Sequence, residues 1–303
     1  MNWAQTGLNR LAIRLVLLDA AVLVISASLY MWLGLSIEWS PDANVGAGML
    51  VLLVALWLYY NFSPGTQTEH RIAEVIFVLV LTLVFANICA FTQYPAVALK
   101  LPYADPWLAA ADARLGIHVP ALARWTHQHQ TVAAVLRVAY FTVLPQFLLA
   151  VFGLGMLQDR DALWEFAFHF QVCLTITLIT LALWPAVCAP DYYQVESAID
   201  MTRPLAQIKG FHDGTMTVAR VTELHGLVSF PSFHVAGGLI VTWAFRRHPR
   251  FLVPLVILNI AMVASTVVTA VHYAIDVIAS VPMLVASIAI FERWGKRLIA
   301  IER

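Results

Sequence analysis

The sequence predicts an all-α polytopic membrane protein, a bundle of transmembrane helices. Three observations carry this. Of the 303 residues, 61% are hydrophobic and 12% charged, where a soluble domain is nearer half apolar and a quarter charged. Mean hydropathy is +0.78. Apolar runs of roughly 20 residues recur along the chain, long enough to cross a bilayer at about 1.5 Å per residue.

Eight spans follow, at 11–35, 46–62, 72–93, 132–157, 163–187, 232–246, 251–270 and 272–291, the sixth of them short. The first run is too long for a cleavable signal and lacks a cleavage pattern, so it reads as a retained span. No internal repeat or low-complexity linker divides the chain. Residues 1–303 therefore form a single integral membrane domain, with N-terminal spans and an interfacial segment over 1–131 and a core over 132–291. The loop from 94 to 131 mixes Trp, Leu and Ala with spaced charges and prolines, which predicts short helices lying on the interface. The polar loop from 188 to 231 is placed over the end of the bundle, as a lid or as a structured loop without direct contacts.

Eighteen Lys and Arg balance eighteen Asp and Glu. With no net charge and no basic tail, nucleic acid is not an expected partner. The distribution of the basic residues sets the orientation. With the amino terminus in the cytoplasm, eleven of them fall on inner segments, including Arg246, Arg247 and Arg250 between the sixth and seventh spans. Six fall outside, all in the two long loops. Both termini are then cytoplasmic, in an inner or plasma membrane. Cys89, Cys173 and Cys188 show no metal-ligand spacing; the first two lie inside apolar runs, where they pack as small hydrophobes.

The chemistry concentrates between Gly226 and Asp276. His272 and Asp276 stand four apart and share one helix face. A carboxylate that accepts from one imidazole nitrogen sets the tautomer and leaves the other nitrogen free as a nucleophile or base. An ionisable group one turn inside an apolar helix is a functional candidate; the plain alternative is a helix cap with a local partner. His234 closes Phe230-Pro231-Ser232-Phe233-His234, directly before the small residues Val235-Ala236-Gly237-Gly238. Proline and serine at a helix start cap it, and the free N–H groups of a first turn hold anions. Gly237 and Gly238 admit a close neighbour, helix or lipid. One pair of short spans separates His234 from His272, so both reach the same, outer face.

These residues resemble the type 2 phosphatidic acid phosphatase superfamily. Phe230–His234 and His272–Asp276 are similar to its second and third signature motifs, PSGH and S-R-x5-H-x3-D. Phe233 in place of the glycine is closer to the inositol phosphorylceramide synthase-like branch. The resemblance covers about 130 to 291. It implies that His272 attacks phosphorus and becomes a phosphohistidine, that Asp276 orients it, and that His234 protonates the leaving oxygen and then deprotonates the incoming water or alcohol. Ser232 and neighbouring amides would supply donors. Two departures stand out. Thr266 follows Ser265 where an arginine is expected, and Glu196 stands where the first motif has lysine, although Arg203-Pro204 fits its end.

Other cations must then meet the phosphate. Arg137, near the outer end of the fourth span, is the leading candidate, with snorkelling to the headgroups as its alternative. Lys209, Arg220 and Arg203 follow it, and Tyr140 is a donor candidate or an aromatic belt residue. Glu165 and His169, near the inner end, read as helix-packing polar groups. No carboxylate di-metal pattern or Gly-rich phosphate loop occurs, so neither metal nor cofactor is expected. The expected partners are the bilayer, a lipid phosphate or phospholipid substrate, and an alcohol or lipid acceptor. The rival reading is a transporter, or a non-catalytic member of the same fold, since intramembrane ionisable groups also serve transport.

Overall fold

The computed structural model describes residues 10–62 and 65–299. The outermost residues, including Arg303 of the inner basic set, fall outside them. In a bilayer every backbone polar group must be satisfied within the segment, and helices do this. The chain runs α1 (Arg10–Leu33), β1 (Ser36–Glu38), α2 (Ala43–Phe62), α3 (Gln67–Val97), α4 (Asp105–Arg114), α5 (Val119–Gln128), α6 (Gln130–Phe141), α7 (Val143–Met156) and α8 (Arg160–Leu183). It continues through α9 (Ala189–Tyr193), α10 (Thr202–Asp213), β2 (Val218–Arg220), a 3-10 turn (Val221–Glu223), α11 (Phe233–Ala244), α12 (Pro249–Val268) and α13 (Ala274–Ile290). A π turn (Phe291–Gly295) and α14 (Lys296–Ile299) close it.

Among the described residues, seven helical stretches are long and apolar enough to cross a membrane, α6 and α7 together forming one of them. The protein is an integral membrane protein. The eighth expected span is α11, twelve residues long, about 18 Å against a hydrocarbon core of roughly 30 Å. The chain makes up part of the difference as extended backbone before the helix begins. The Thr180 hydroxyl near the end of α8 donates to the Phe230 carbonyl at 3.1 Å, so the motif starts about a turn below the end of that helix.

Span four is broken at Thr142. Pro145 has no N–H to offer the Phe141 carbonyl, and the helix restarts with the Gln146 amide donating to the Thr142 carbonyl at 3.1 Å. Glycine lets the neighbours of α11 approach closely. A Cβ at Gly237 would strike Phe147 of α7, and one at Gly238 would strike Met262 and Asn259 of α12. The close neighbours are therefore helices.

The two ends of the bundle differ in chemistry. At one end Arg160 pairs with Glu74 at 2.7 Å, Arg246 with Glu165 at 2.8 Å, and His248 with Asp159 at 2.9 Å. Glu165 and His169 bridge helices here as expected: His169 Nδ1 lies 2.8 Å from Ser287 Oγ of α13. At the other end lie α4, α5, α9 and α10, with β1 paired in parallel to β2 through Ser36–Val218, Ile37–Ala219 and Glu38–Arg220. The segment 94–131 forms short helices, α4 and α5. The loop 188–231 covers this end, and nothing in the hydropathy pattern announced its strand pair.

Candidate active site

The site is built where two helices begin side by side. After α12 the chain turns through Ala270, which takes a left-handed conformation at φ 62. The Ala270 amide donates to the Val267 carbonyl at 2.9 Å and the His272 amide to the Thr266 carbonyl at 3.0 Å, so the backbone beneath the imidazole is held. Asp276 is the third residue of α13. Its Oδ2 accepts from the Tyr273 amide at 3.1 Å, which is the capping role. The same oxygen accepts from His272 Nδ1 at 3.1 Å and from Ser229 Oγ at 2.9 Å. Cap and imidazole partner are one carboxylate.

The second helix is pinned to the first. The Ser232 amide donates to the Asp276 carbonyl at 3.2 Å, and Ser280 Oγ donates to the Ser232 carbonyl at 2.9 Å. Ser232 caps α11, its Oγ accepting from the Val235 amide at 3.4 Å. The same hydroxyl lies 3.2 Å from His272 Nε2. Nδ1 carries the proton that faces the carboxylate, so Nε2 keeps its lone pair, a tautomer assigned from this network. His272 and Asp276 are 3% and 0% exposed, a nearly dry setting in which a hydrogen-bonded pair is electrostatically strong.

His234, in the first turn of α11, is half-buried. Its ring stacks on Tyr140 of α6 with centroids 4.2 Å apart and 20° between planes, and it lies within electrostatic range of His272. Phe233 lodges against Phe170 and Phe147, at 5.4 and 6.2 Å. A side chain where the resembled motif has glycine thus anchors the start of α11 in an aromatic cluster.

A cavity of about 670 Å³ is lined by Arg137, Gln130, Glu196, Asp200 and Thr202 among others, and neither His234 nor His272 is in its wall. Tyr140, on which His234 stacks, packs with Ile199 and Val271, and Ile199 also lines the cavity. Arg137 thus sits one turn from the residue on which His234 stacks, in the wall of this cavity. Lys209, Arg220 and Arg203 do not line it. Lys209 is paired with Asp191 at 2.6 Å, and Arg220 with Glu38 at 2.9 Å across the strand pair. Arg203 is exposed on the first turn of α10, close to Asp200. Thr266, at the arginine position of the third motif, is 0% exposed and its hydroxyl donates to the Val263 carbonyl of its own helix at 2.7 Å.

Sequence reading missed Ser229, a third donor to Asp276, and two aspartates of α4, Asp105 and Asp112, which bond to the turn after His272. Ser229 carried no signal beyond nearness to Phe230–His234. The aspartates did: seven apart in an Ala- and Leu-rich helix, they share a face. Among the described residues, no group of three or more His, Cys, Asp and Glu could hold a metal ion.

A family model described as PAP2 superfamily matches residues 106–290, more than half of the chain, and both histidines lie inside the match. No curated protein and no solved structure matches the chain. With the two motifs pinned together at one end of a helical membrane bundle and the matched segment enclosing them, the chain belongs to the PAP2 superfamily.

Proposed function

We propose that this protein is a membrane phosphatase or phosphotransferase acting on an amphiphilic phosphate or phosphodiester through a phosphohistidine. The observation that carries the reading is His272, held by Asp276 at Nδ1 with Nε2 facing the Ser232 hydroxyl, beside His234 on the neighbouring helix start. Nε2 of His272 attacks phosphorus. The bond from phosphorus to the leaving oxygen breaks, and that oxygen takes a proton from His234. Water or an alcohol then attacks the phosphohistidine and gives its proton to His234, and the P–N bond breaks. One imidazole begins neutral and the other protonated, as paired acid–base catalysis requires. The first-turn amides of α11 favour the phosphoryl oxygens.

Arg137 and the cavity beside it support a place for the polar part of the substrate, with Tyr140 joining that wall to His234. The recessed start of α11 suits a headgroup whose tail stays in lipid. Phe233 in the second motif favours the inositol phosphorylceramide synthase-like branch, and with it headgroup transfer to an alcohol. The basic residues of the opposite end favour a cytoplasmic position for that end, which sets the site on the periplasmic or lumenal side.

The test is turnover of a radiolabelled lipid phosphate by the purified protein, with and without candidate alcohols. His272→Ala is expected to lower kcat by several powers of ten, as removal of a nucleophile does. Products formed only with an alcohol assign transfer; release of phosphate without one assigns hydrolysis. Unchanged turnover in His272→Ala discards the nucleophile, and a parent that moves lipid without hydrolysing it supports transport instead.

A further inference from the structure

The turn that carries His272 is gripped from outside the motifs. Asp112 of α4 is 0% exposed, and its two carboxylate oxygens accept from the Ala274 and Ile275 amides, each at 2.8 Å. These are first-turn N–H groups of α13, which have no partner within the helix. Asp112 therefore caps α13 from a segment 162 residues earlier in the chain. Asp105, two helical turns before Asp112 on the same face, is 2% exposed. It accepts from the Tyr273 hydroxyl at 2.9 Å and from the Val187 and Cys188 amides at 2.8 and 3.1 Å. Three consecutive residues after His272 are thus held by two buried carboxylates. Cys188 sits at φ 93, ψ 155, a region nearly reserved for glycine, so the surroundings over-determine this junction. The other face of α4 meets the second motif: Trp107, 42% exposed, lies edge-on to Phe230 at 5.1 Å.

A helix start leaves several amides without intrahelical partners, and a single capping side chain meets only some of them. Here Asp276 already accepts from the Tyr273 amide, and two further buried carboxylates come from another helix. Burying an anion is costly unless several donors repay it, and here five donors do so. The fold meets that cost at the turn behind the imidazole. We infer that Asp112 and Asp105 are positioning residues for the phosphoryl-transfer step, α4 acting as a clamp that holds His272 and Asp276 at their working separation. The inference rests on the function proposed above and adds to it a part for the interfacial segment.

The experiment uses the full-length protein in detergent–phosphatidic acid mixed micelles, with parent, His272→Ala, Asp112→Asn, Asp112→Leu and Tyr273→Phe. Asp112→Asn keeps one acceptor. It is expected to lower kcat by about 10- to 100-fold, the usual loss when a supporting partner of a functional group is removed, with KM within about twofold and the melting temperature nearly that of the parent. Asp112→Leu is expected to lose more, so that asparagine counts as partial rescue. Hydrogen exchange of the peptide covering 272–276 supplies a readout independent of turnover, expected about tenfold faster in Asp112→Asn as the local opening becomes easier. Parental kcat in Asp112→Asn, or a loss confined to KM, overturns the clamp. If the parent shows no His272-dependent turnover, the proposed function fails. Exchange then decides the clamp alone, and an unchanged rate at 272–276 sinks it.

Discussion

Replacing Asp276 by asparagine removes one negative charge from the site and leaves its shape. The structure dictates how the amide must sit. Oδ2 accepts from three donors, His272 Nδ1, Ser229 Oγ and the Tyr273 amide, while Oδ1 is buried without a hydrogen-bond partner among the described residues. An asparagine therefore places its carbonyl at the three donors and its NH2 at the open position, so the His272 tautomer survives. What is lost is the attraction between a carboxylate and an imidazole that, in the proposed step, becomes positive as it binds phosphorus. At 3.1 Å and an effective dielectric near 20 that attraction is about 5 kcal/mol for full charges. Partial charge in the transition state brings the loss to roughly 3–4 kcal/mol, or about 10²- to 10³-fold in kcat. Asp276→Ala instead orphans all three donors, at about 1–3 kcal/mol each, and is expected to unfold the helix start. The assay is steady-state turnover of a lipid phosphate beside thermal unfolding of both variants. Asp276→Asn within tenfold of the parent, or one that melts like Asp276→Ala, refutes the assignment of Asp276 as the charge behind His272.

Three other measurements probe different parts of the molecule. His234→Asn should slow turnover of an alkyl phosphate by about 10²- to 10⁴-fold and that of a nitrophenyl phosphate far less, because a good leaving group needs no proton; equal losses on both would exclude leaving-group protonation. At the opposite end, Arg246→Met strips the guanidinium from Glu165, which is 1% exposed. It should destabilise the fold by about 3–5 kcal/mol, seen as a lower melting temperature, while the kcat of the folded fraction stays unchanged. Burial raises the Asp112 carboxyl above its ordinary range despite the two amides bonded to it, and Asp105 likewise. The groups facing them are Tyr193 for Asp112, and Tyr103, Tyr273 and Cys188 for Asp105. A raised carboxyl binds protons more readily folded than unfolded, so below the raised value its contribution to stability grows as pH falls. The protonated oxygen no longer accepts. Acidification from neutral pH should lower kcat on a limb that Asp112→Asn lacks, without a matching fall in melting temperature; an identical limb in that variant counts against Asp112 as its source.

Much of the site is local, and local features are legible. Seven helical crossings and the short α11 follow from runs of apolar residues, because lipid imposes the same demand on each segment separately. His272 and Asp276 meet because four residues make one turn, and Ser232 caps because of where it stands before a helix. That Ser232 also reaches Nε2 of His272 depends on α11 and α13 starting at one level. The split of span four is written in Pro145, but the apolar run continues on both sides, so hydropathy shows one uninterrupted segment.

Partnership across the chain was decided by the fold alone. Lys209 and Arg220 have the composition of phosphate ligands, yet the loop that carries them folds so that Asp191 and Glu38 take their charges. In the sequence Asp105 and Asp112 are only two of the spaced charges of an interfacial segment, and the structure turns them inward onto the Tyr273 hydroxyl and the Ala274 and Ile275 amides that follow His272. Hydropathy reports what each segment must avoid, namely water or bare lipid. It carries no information about which loop will lie across which helix end, since that follows from the packing of the whole bundle, where a buried carboxylate settles only beside donors that can repay its lost water.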